Sequence, residues 1–229
     1  MKSKAMPIRP LLLGHRGARG EKSIAENTLA SFDLAIASGC DGFEFDVRLS
    51  ADGQPVICHD AKSRGHEIAR SKADALGLPL LAAVLTRYGR TAFLDIELKV
   101  PGLEAITLGV LRESGPLRGF VISSFLPDVL QRFHEIDSGI PLGLICETQA
   151  EFSHWRHLPL DYVIPHFKLL RHELIPEIKI AGKKLVVWTV NSPADIRRMS
   201  KWEVDGIISD NPGKLVHALG RKPHFSASV

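Results

Sequence analysis

Gly42-Phe43-Glu44-Phe45-Asp46-Val47-Arg48, returning after Ser50-Ala51-Asp52-Gly53 as Gln54-Pro55-Val56-Ile57-Cys58-His59, is the stretch on which the architecture turns. An apolar run interrupted by carboxylates two residues apart predicts a β-strand with Glu44 and Asp46 on one face, because successive strand side chains alternate. Asp52-Gly53 is a two-residue hairpin signal. That register sets His59 opposite Asp46, so a histidine and two carboxylates share one face by local geometry alone.

Working outward, this strand is the second of eight short apolar runs, at 11–17, 42–48, 91–99, 119–125, 141–147, 161–167, 184–190 and 205–209. Most are apolar enough for a parallel sheet covered on both faces. Helical patterns fill the gaps at 26–38, 102–114, 127–136, 192–201 and 212–219, three of them with Pro at or near the first turn. Eight strand–helix units in a chain of this size predict an α/β fold of the (β/α)₈ TIM-barrel type rather than a doubly wound sheet. The expected layout is one barrel domain over 11–220, with a hairpin arm and short cap insertion at 49–79. An N-terminal extension (1–10) and a frayed tail (221–229) flank it.

The 229 residues, 45% hydrophobic and 24% charged, fit one globular domain and exclude disordered and collagen-like classes. A net charge of +3 from 29 basic and 26 acidic residues, without clustering, does not mark a nucleic-acid binder. The small surplus is compatible with an anionic substrate but does not select a partner. Cys40, Cys58 and Cys146 are odd in number and widely spaced, which fits a reducing cytoplasm and neither a disulfide framework nor a zinc site. The run Leu11–Leu13 behind Lys2 and Lys4 is too short for a signal segment, and no membrane span is expected.

In such a barrel the chemistry lies at the C-terminal ends of the strands. Those ends carry His15-Arg16-Gly17, Glu44-x-Asp46, His59-Asp60 on the hairpin arm, and Glu97-x-Lys99. Three neighbouring carboxylates repel one another, so either some are protonated or a cation lies between them, and all-oxygen ligands favour Mg²⁺ or Ca²⁺. The alternative pairs Glu44 and Glu97 with Arg48 and Lys99 as barrel salt bridges. Two histidines titrating near neutrality can accept and donate a proton in one turnover, and Arg16 is suited to a phosphate oxygen. Asp95 is expected one layer deeper, as a buried partner of Lys99 or another cation. His166 ends the sixth run and borders the pocket or not, and Ser124 serves either a substrate oxygen or its own backbone. The remaining histidines read as surface residues.

These motifs, with Ala25-Glu26-Asn27-Thr28, Trp188-Thr189-Val190-Asn191 and Asp205-Gly206-Ile207-Ile208-Ser209-Asp210, resemble in order and spacing the glycerophosphodiester phosphodiesterase family. The resemblance runs from about Leu11 to Leu215. It implies a barrel of the phosphatidylinositol phospholipase C-like type that hydrolyses glycerophosphodiesters to sn-glycerol 3-phosphate and an alcohol. Carried over residue by residue, it makes Glu44, Asp46 and Glu97 the ligands of one divalent cation, Mg²⁺ or Ca²⁺. His15 and His59 become the acid/base pair, Arg16 and Lys99 the phosphate grip, and Trp188 a platform for glycerol carbons or simply a packed barrel-mouth residue. The chain departs from the family at Ala25, where Pro is usual, and in the segment Asp60 to Pro79, short for the family's cap. Competing expectations are a lysophospholipase D-like activity at the same site and a catalytically silent barrel that binds glycerophosphodiesters.

Overall fold

The computed structural model describes residues 9–115 and 117–223. Eight parallel strands form: β1 (Leu11–Gly14), β2 (Gly42–Leu49), β6 (Phe93–Leu98), β7 (Gly119–Ser124), β8 (Leu142–Cys146), β9 (Tyr162–Pro165), β10 (Lys184–Val187) and β11 (Gly206–Ser209). They pair in the order β1-β11-β10-β9-β8-β7-β6-β2, and the pairing of β1 with β2 closes the barrel. The short strands β3 (Pro55–Ile57), β4 (Lys62–Ser63) and β5 (His66–Glu67) lie between β2 and β6 in sequence. Helices α1 (Leu29–Ala37), α2 (Ala73–Leu76), α3 (Leu81–Tyr88), α4 (Glu104–Glu113), α5 (Pro127–Ile136), α6 (Gln149–Ser153), α7 (Ile175–Ile180), α8 (Pro193–Lys201) and α9 (Pro212–Ala218) run between and after the strands. All eight expected strands and the five expected helices form, with trimmed ends.

The trimming has a physical cause where it matters. The first run stops at Gly14 because Arg16 and Gly17 take positive φ, 48° and 81°, and a side chain at Gly17 would collide with Ser31. The first helix begins at Leu29 rather than residue 26, since Thr28 caps it by accepting from the Ser31 amide and Asn27 is left-handed at φ 57°. Both turns therefore project side chains at the barrel mouth instead of continuing an element. Phe32 of α1 stacks on Phe43 of β2 with ring centroids 4.2 Å apart, which seats this loop against the strand that carries Glu44 and Asp46.

Two apolar layers hold the frame. One lies between strands and helices, built on Phe43, Phe45, Leu94, Ile122 and their helical partners. The other fills the barrel axis with Leu13, Val121, Ile145, Tyr162, Ile164, Val186 and Ile208. On β2 and β6 the axial positions are instead acidic: Glu44 is the register partner of Asp95, and Asp46 of Glu97.

The hairpin arm differs by one residue from expectation. Val47 faces Ile57 and Arg48 faces Val56, so Asp46 lies across from Cys58, whose amide donates to its carbonyl at 3.0 Å, and not from His59. The loop is three residues long, closed by Ser50 N–H donating to Gln54 O at 3.0 Å. Gly53, at φ 76°, supplies the left-handed residue that such a loop requires. Beyond Ile57 the chain leaves the ladder, and Arg48 Nε fixes the His59 carbonyl at 2.8 Å. The segment from Asp60 to Pro79 folds over its own small cluster of Ile68, Ala73 and Leu76 against Val56. Arg221, expected in a frayed tail, binds Asp41 Oδ2 and Pro10 O, both at 2.6 Å; the extension before residue 9 and the tail from 224 lie outside the described residues.

Candidate active site

A cavity of about 290 Å³ opens at the C-terminal end of the barrel. One wall carries His15, Arg16, Glu44, His59, Glu97 and Lys99; the other carries Phe125, Ile145, Ile164, Trp188 and Ile208. Seven of the eight sequence-derived candidates line it. The eighth, Asp46, is 1% exposed and sits just behind.

Glu44, Asp46 and Glu97 are buried, and each presents an oxygen within 4.8 Å of the others. Strand parity on β2 and β6, with Asp46 in register with Glu97, brings them together. Lys99 Nζ reaches Glu97 Oε1 at 2.5 Å and Asp46 Oδ1 at 3.3 Å, while Arg16 Nε lies 3.2 Å from Asp46 Oδ2. The salt-bridge alternative thus holds for Lys99 but not for Arg48, which serves the hairpin. Burial, followed by the charges of Asp46 and Glu97, drives the Glu44 carboxyl well above its ordinary range. Burial and then Asp46 raise Glu97 to about 8. Asp46 is buried too, yet Lys99 and Arg16 outweigh that cost and leave it below the ordinary range.

With no cation between them, burial and mutual repulsion push Glu44 and Glu97 toward the protonated form, while Lys99 and Arg16 hold Asp46 toward the charged one. Glu44 Oε1 is buried with no hydrogen-bond partner, and Asp46 Oδ1 has only the Lys99 ammonium, at 3.3 Å. An orphaned buried oxygen is costly, and a divalent ion bound there would satisfy it and relieve the repulsion among the three carboxylates. The donor set fits such an ion.

Each histidine is anchored through Nδ1. His15 Nδ1 lies 2.7 Å from Asp210 Oδ1, with Nε2 3.8 Å from Glu44 Oε2. His59 Nδ1 lies 2.7 Å from Asp60 Oδ1. A carboxylate on Nδ1 fixes the ring tautomer and leaves Nε2 for chemistry. Burial lowers the His15 pKa despite the Asp210 hydrogen bond. Asp210 is itself partly buried, but His15 brings it down to about 2, and Asn191 Nδ2 donates to its other oxygen at 2.7 Å.

Several supporting residues were not singled out from sequence. Asp210 enters the sequence reading only as the last residue of the motif at 205–210. Asn27 Nδ2 donates to Asp46 Oδ2 at 2.7 Å, and Glu26 receives Arg16 Nη1 at 2.7 Å and Arg19 Nε at 3.0 Å. For Asp210 the signal is positional, a polar residue just past an apolar run. Phe125 meets Trp188 edge-on, centroids 5.6 Å apart, and Trp188 Nε1 donates to Ile164 O at 2.9 Å. Trp188 is thus both packed and cavity-lining. Ser124 Oγ donates to Leu98 O at 2.7 Å, which resolves its two readings in favour of the backbone. His166 packs its ring against Trp188 at 5.5 Å. Asp95 is not a partner of Lys99; its Oδ1 accepts from Ser123 Oγ at 2.5 Å, because Lys99 is held by Glu97 and Asp46.

The model of the glycerophosphoryl diester phosphodiesterase family matches residues 15–79 and 103–214, well over half of the chain. A glycerophosphodiester phosphodiesterase of Caldanaerobacter subterraneus subsp. tengcongensis is 30% identical, covering 93% of this chain and 98% of that protein. One from Bacillus subtilis is 26% identical, covering 90% and 85%. Among solved structures, an Oleispira antarctica phosphodiesterase in complex with the product sn-glycerol-3-phosphate superposes with a TM-score of 0.81 at 28% identity, over 92% of this chain and 96% of that one. Fold, site and matched residues agree: the chain belongs to the glycerophosphoryl diester phosphodiesterase family, and is by class a phosphoric diester hydrolase.

Proposed function

We propose that this chain hydrolyses glycerophosphodiesters to sn-glycerol 3-phosphate and an alcohol, with one divalent cation, Mg²⁺ or Ca²⁺, held by Glu44, Asp46 and Glu97. The observation that carries the proposal is the pair of histidines, each anchored by an aspartate at 2.7 Å, beside a buried cluster of three carboxylates. When bound, the cation supplies Lewis-acid stabilisation of phosphate charge.

Arg16 and Lys99 orient and neutralise the phosphate. Glu26 and Asp46 engage only part of the five-donor Arg16 guanidinium, and Lys99 retains a third ammonium hydrogen beyond its two carboxylate partners. One histidine takes a proton from the nucleophile through Nε2 while the other delivers one to the departing alkoxide. Asp210 and Asp60 stabilise whichever imidazolium forms. The nucleophile is either water or the neighbouring glycerol hydroxyl. The latter gains from intramolecular proximity and gives a cyclic phosphate first. Phe125 and Trp188 offer a dry surface to the glycerol carbons.

Among the described residues no helix is long and apolar enough to cross a membrane. Cys40, Cys58 and Cys146 are free thiols, which supports a reducing, cytoplasmic setting. The test is release of choline from glycerophosphocholine and from a lysophosphatidylcholine, each with and without chelator. Turnover of the glycerophosphodiester, lost on chelation and restored by Mg²⁺ or Ca²⁺, is expected. Preference for the lysolipid would move the assignment to lysophospholipase D, and full turnover after verified metal removal would abolish the cation's role.

A further inference from the structure

Glu44, Asp46 and Glu97 are not the whole of the acidic floor. Asp95 is the register partner of Glu44 on the adjacent strand, is 1% exposed, and lines the same cavity. The set of oxygens within 4.8 Å of one another is made by the other three, so Asp95 stands outside the inner ring. Its two oxygens are used unequally. Oδ1 accepts from Ser123 Oγ at 2.5 Å, which pins the carboxyl group; Oδ2 is buried and has no hydrogen-bond partner.

A buried acceptor without a donor loses its hydration and receives nothing in return. Ser123 is already committed to the other oxygen, and Asp95 lines the cavity, so Oδ2 is open to a donor from that side. We propose that Asp95 is a positioning residue of the cation site: its free oxygen receives a hydrogen bond from a water that the cation keeps, and this makes the site favour Mg²⁺ over Ca²⁺. The inference rests on the cation reading given above. Water on a cation gives one lone pair to the metal and is polarised into a strong donor through both hydrogens, which matches a carboxylate oxygen. Mg²⁺ sheds its waters reluctantly and is held through them, whereas Ca²⁺ accepts more protein oxygens in looser geometry. A fixed acceptor just beyond the inner ring therefore helps the smaller ion more. Orienting groups of this kind typically contribute about 10- to 100-fold in metal affinity.

The experiment is calorimetric titration of Mg²⁺ and, separately, of Ca²⁺ into the metal-free full chain, with no turnover involved. Asp95→Asn keeps the shape and an oxygen for Ser123. Asp95→Leu keeps the bulk and removes every acceptor, at the cost of the hydrogen bond from Ser123, so a thermal melt of each variant precedes the titration. Mg²⁺ affinity is expected to fall by about 10-fold or more in both variants, and Ca²⁺ affinity by no more than about threefold. Equal losses for the two ions would reveal only a distant charge effect and overturn the proposal, as would unchanged Mg²⁺ affinity. Uptake of neither ion by the unsubstituted protein would bring down the cation reading and this inference together; uptake with indifferent variants would bring down this inference alone.

Discussion

The two walls of the cavity come from different parts of the chain and are built on different physics. The charged wall, His15 through Lys99, is supplied by β1, β2, β6 and the hairpin arm, within the first hundred residues. The opposite wall, Phe125 through Ile208, is supplied by β7 to β11 and is apolar apart from the exposed Glu147. In the charged wall each group is held by polar partners. Asp46 alone is touched by Arg16, Asn27 and Lys99, and each histidine has its aspartate. The apolar wall is held by packing along the barrel axis, with one hydrogen bond fixing the indole of Trp188. A phosphodiester presents the same division, a charged centre whose bonds must be polarised and a carbon skeleton that needs only a dry, shaped surface. Substitutions on the charged wall should therefore reach kcat, and those on the apolar wall should reach KM.

The sharpest break would come at the histidines. His15→Ala and His59→Ala are each expected to lower kcat on glycerophosphocholine by roughly 10²-fold or more, the usual scale for a lost general acid or base. Both variants should keep the fold, since His59 is partly exposed and His15, though buried, lines the cavity rather than the apolar core. An aryl phosphodiester, whose leaving group needs little protonation, separates the two: the variant that lacks the general acid should recover most of its rate. If both are equally slow on the aryl ester, the division of labour is wrong. If neither affects kcat, the charged wall is not the catalytic one.

The same contrast governs what could be read from sequence. Glu44, Asp46, Glu97 and Lys99 were legible because strand parity is a local rule, and two residues of separation put them on one face wherever the barrel closes. Asp210 was not, since it meets His15 across 195 residues and only closure of β11 onto β1 makes them neighbours. Asn27 was hidden for a different reason. A helical periodicity runs back over residues 26–28, but Thr28 takes the capping role, and Asn27 turns left-handed into the site instead of starting a helix. The hairpin failed by one residue. Asp52-Gly53 serves a two-residue or a three-residue loop equally well on paper, and the hydrogen bond from Ser50 Oγ to Asp52 Oδ1 at 2.6 Å, with the Ala73 amide donating to the same oxygen at 3.0 Å, commits Asp52 to capping the insertion. His59 reached the cavity all the same, because it had already left the ladder.

A milder test lies on the apolar wall. Trp188→Leu keeps an apolar side chain but removes the flat face and the indole donor. On glycerophosphocholine kcat/KM should drop by roughly 10-fold, the order expected for lost apolar contact, with most of the change in KM. On an aryl phosphodiester without glycerol the same variant should stay within about twofold of the original, because no carbon skeleton is there to miss the indole. An equal loss on both substrates would mean that Trp188 supports the charged wall, through its contacts with Phe125 and His166, and the separation of the two walls would fail.

The smallest effect is expected where the leaving alcohol projects. Beside His59 the cavity gives way to a second hollow bounded by Ala25 to Thr28 on one side and by Lys62, Ser63, Arg64 and Leu78 of the insertion on the other. The insertion is too short to roof it: Asp60, Lys62, Arg64 and His66 are all exposed, and Lys62 is taken by Glu67 at 3.2 Å. Discrimination between head groups needs either close apolar contact or buried polar groups left unpaired by the wrong one, and exposed side chains in water supply little of either. Choline, ethanolamine and glycerol diesters should consequently differ by no more than ~10-fold in kcat/KM, whereas a diester without the glycerol moiety should suffer more, having lost the wall that Trp188 builds. Measuring kcat/KM for the four esters side by side checks both halves of the statement. A preference above roughly 100-fold for one head group would mean that the insertion closes over the alcohol in the complex and acts as a third, selective wall.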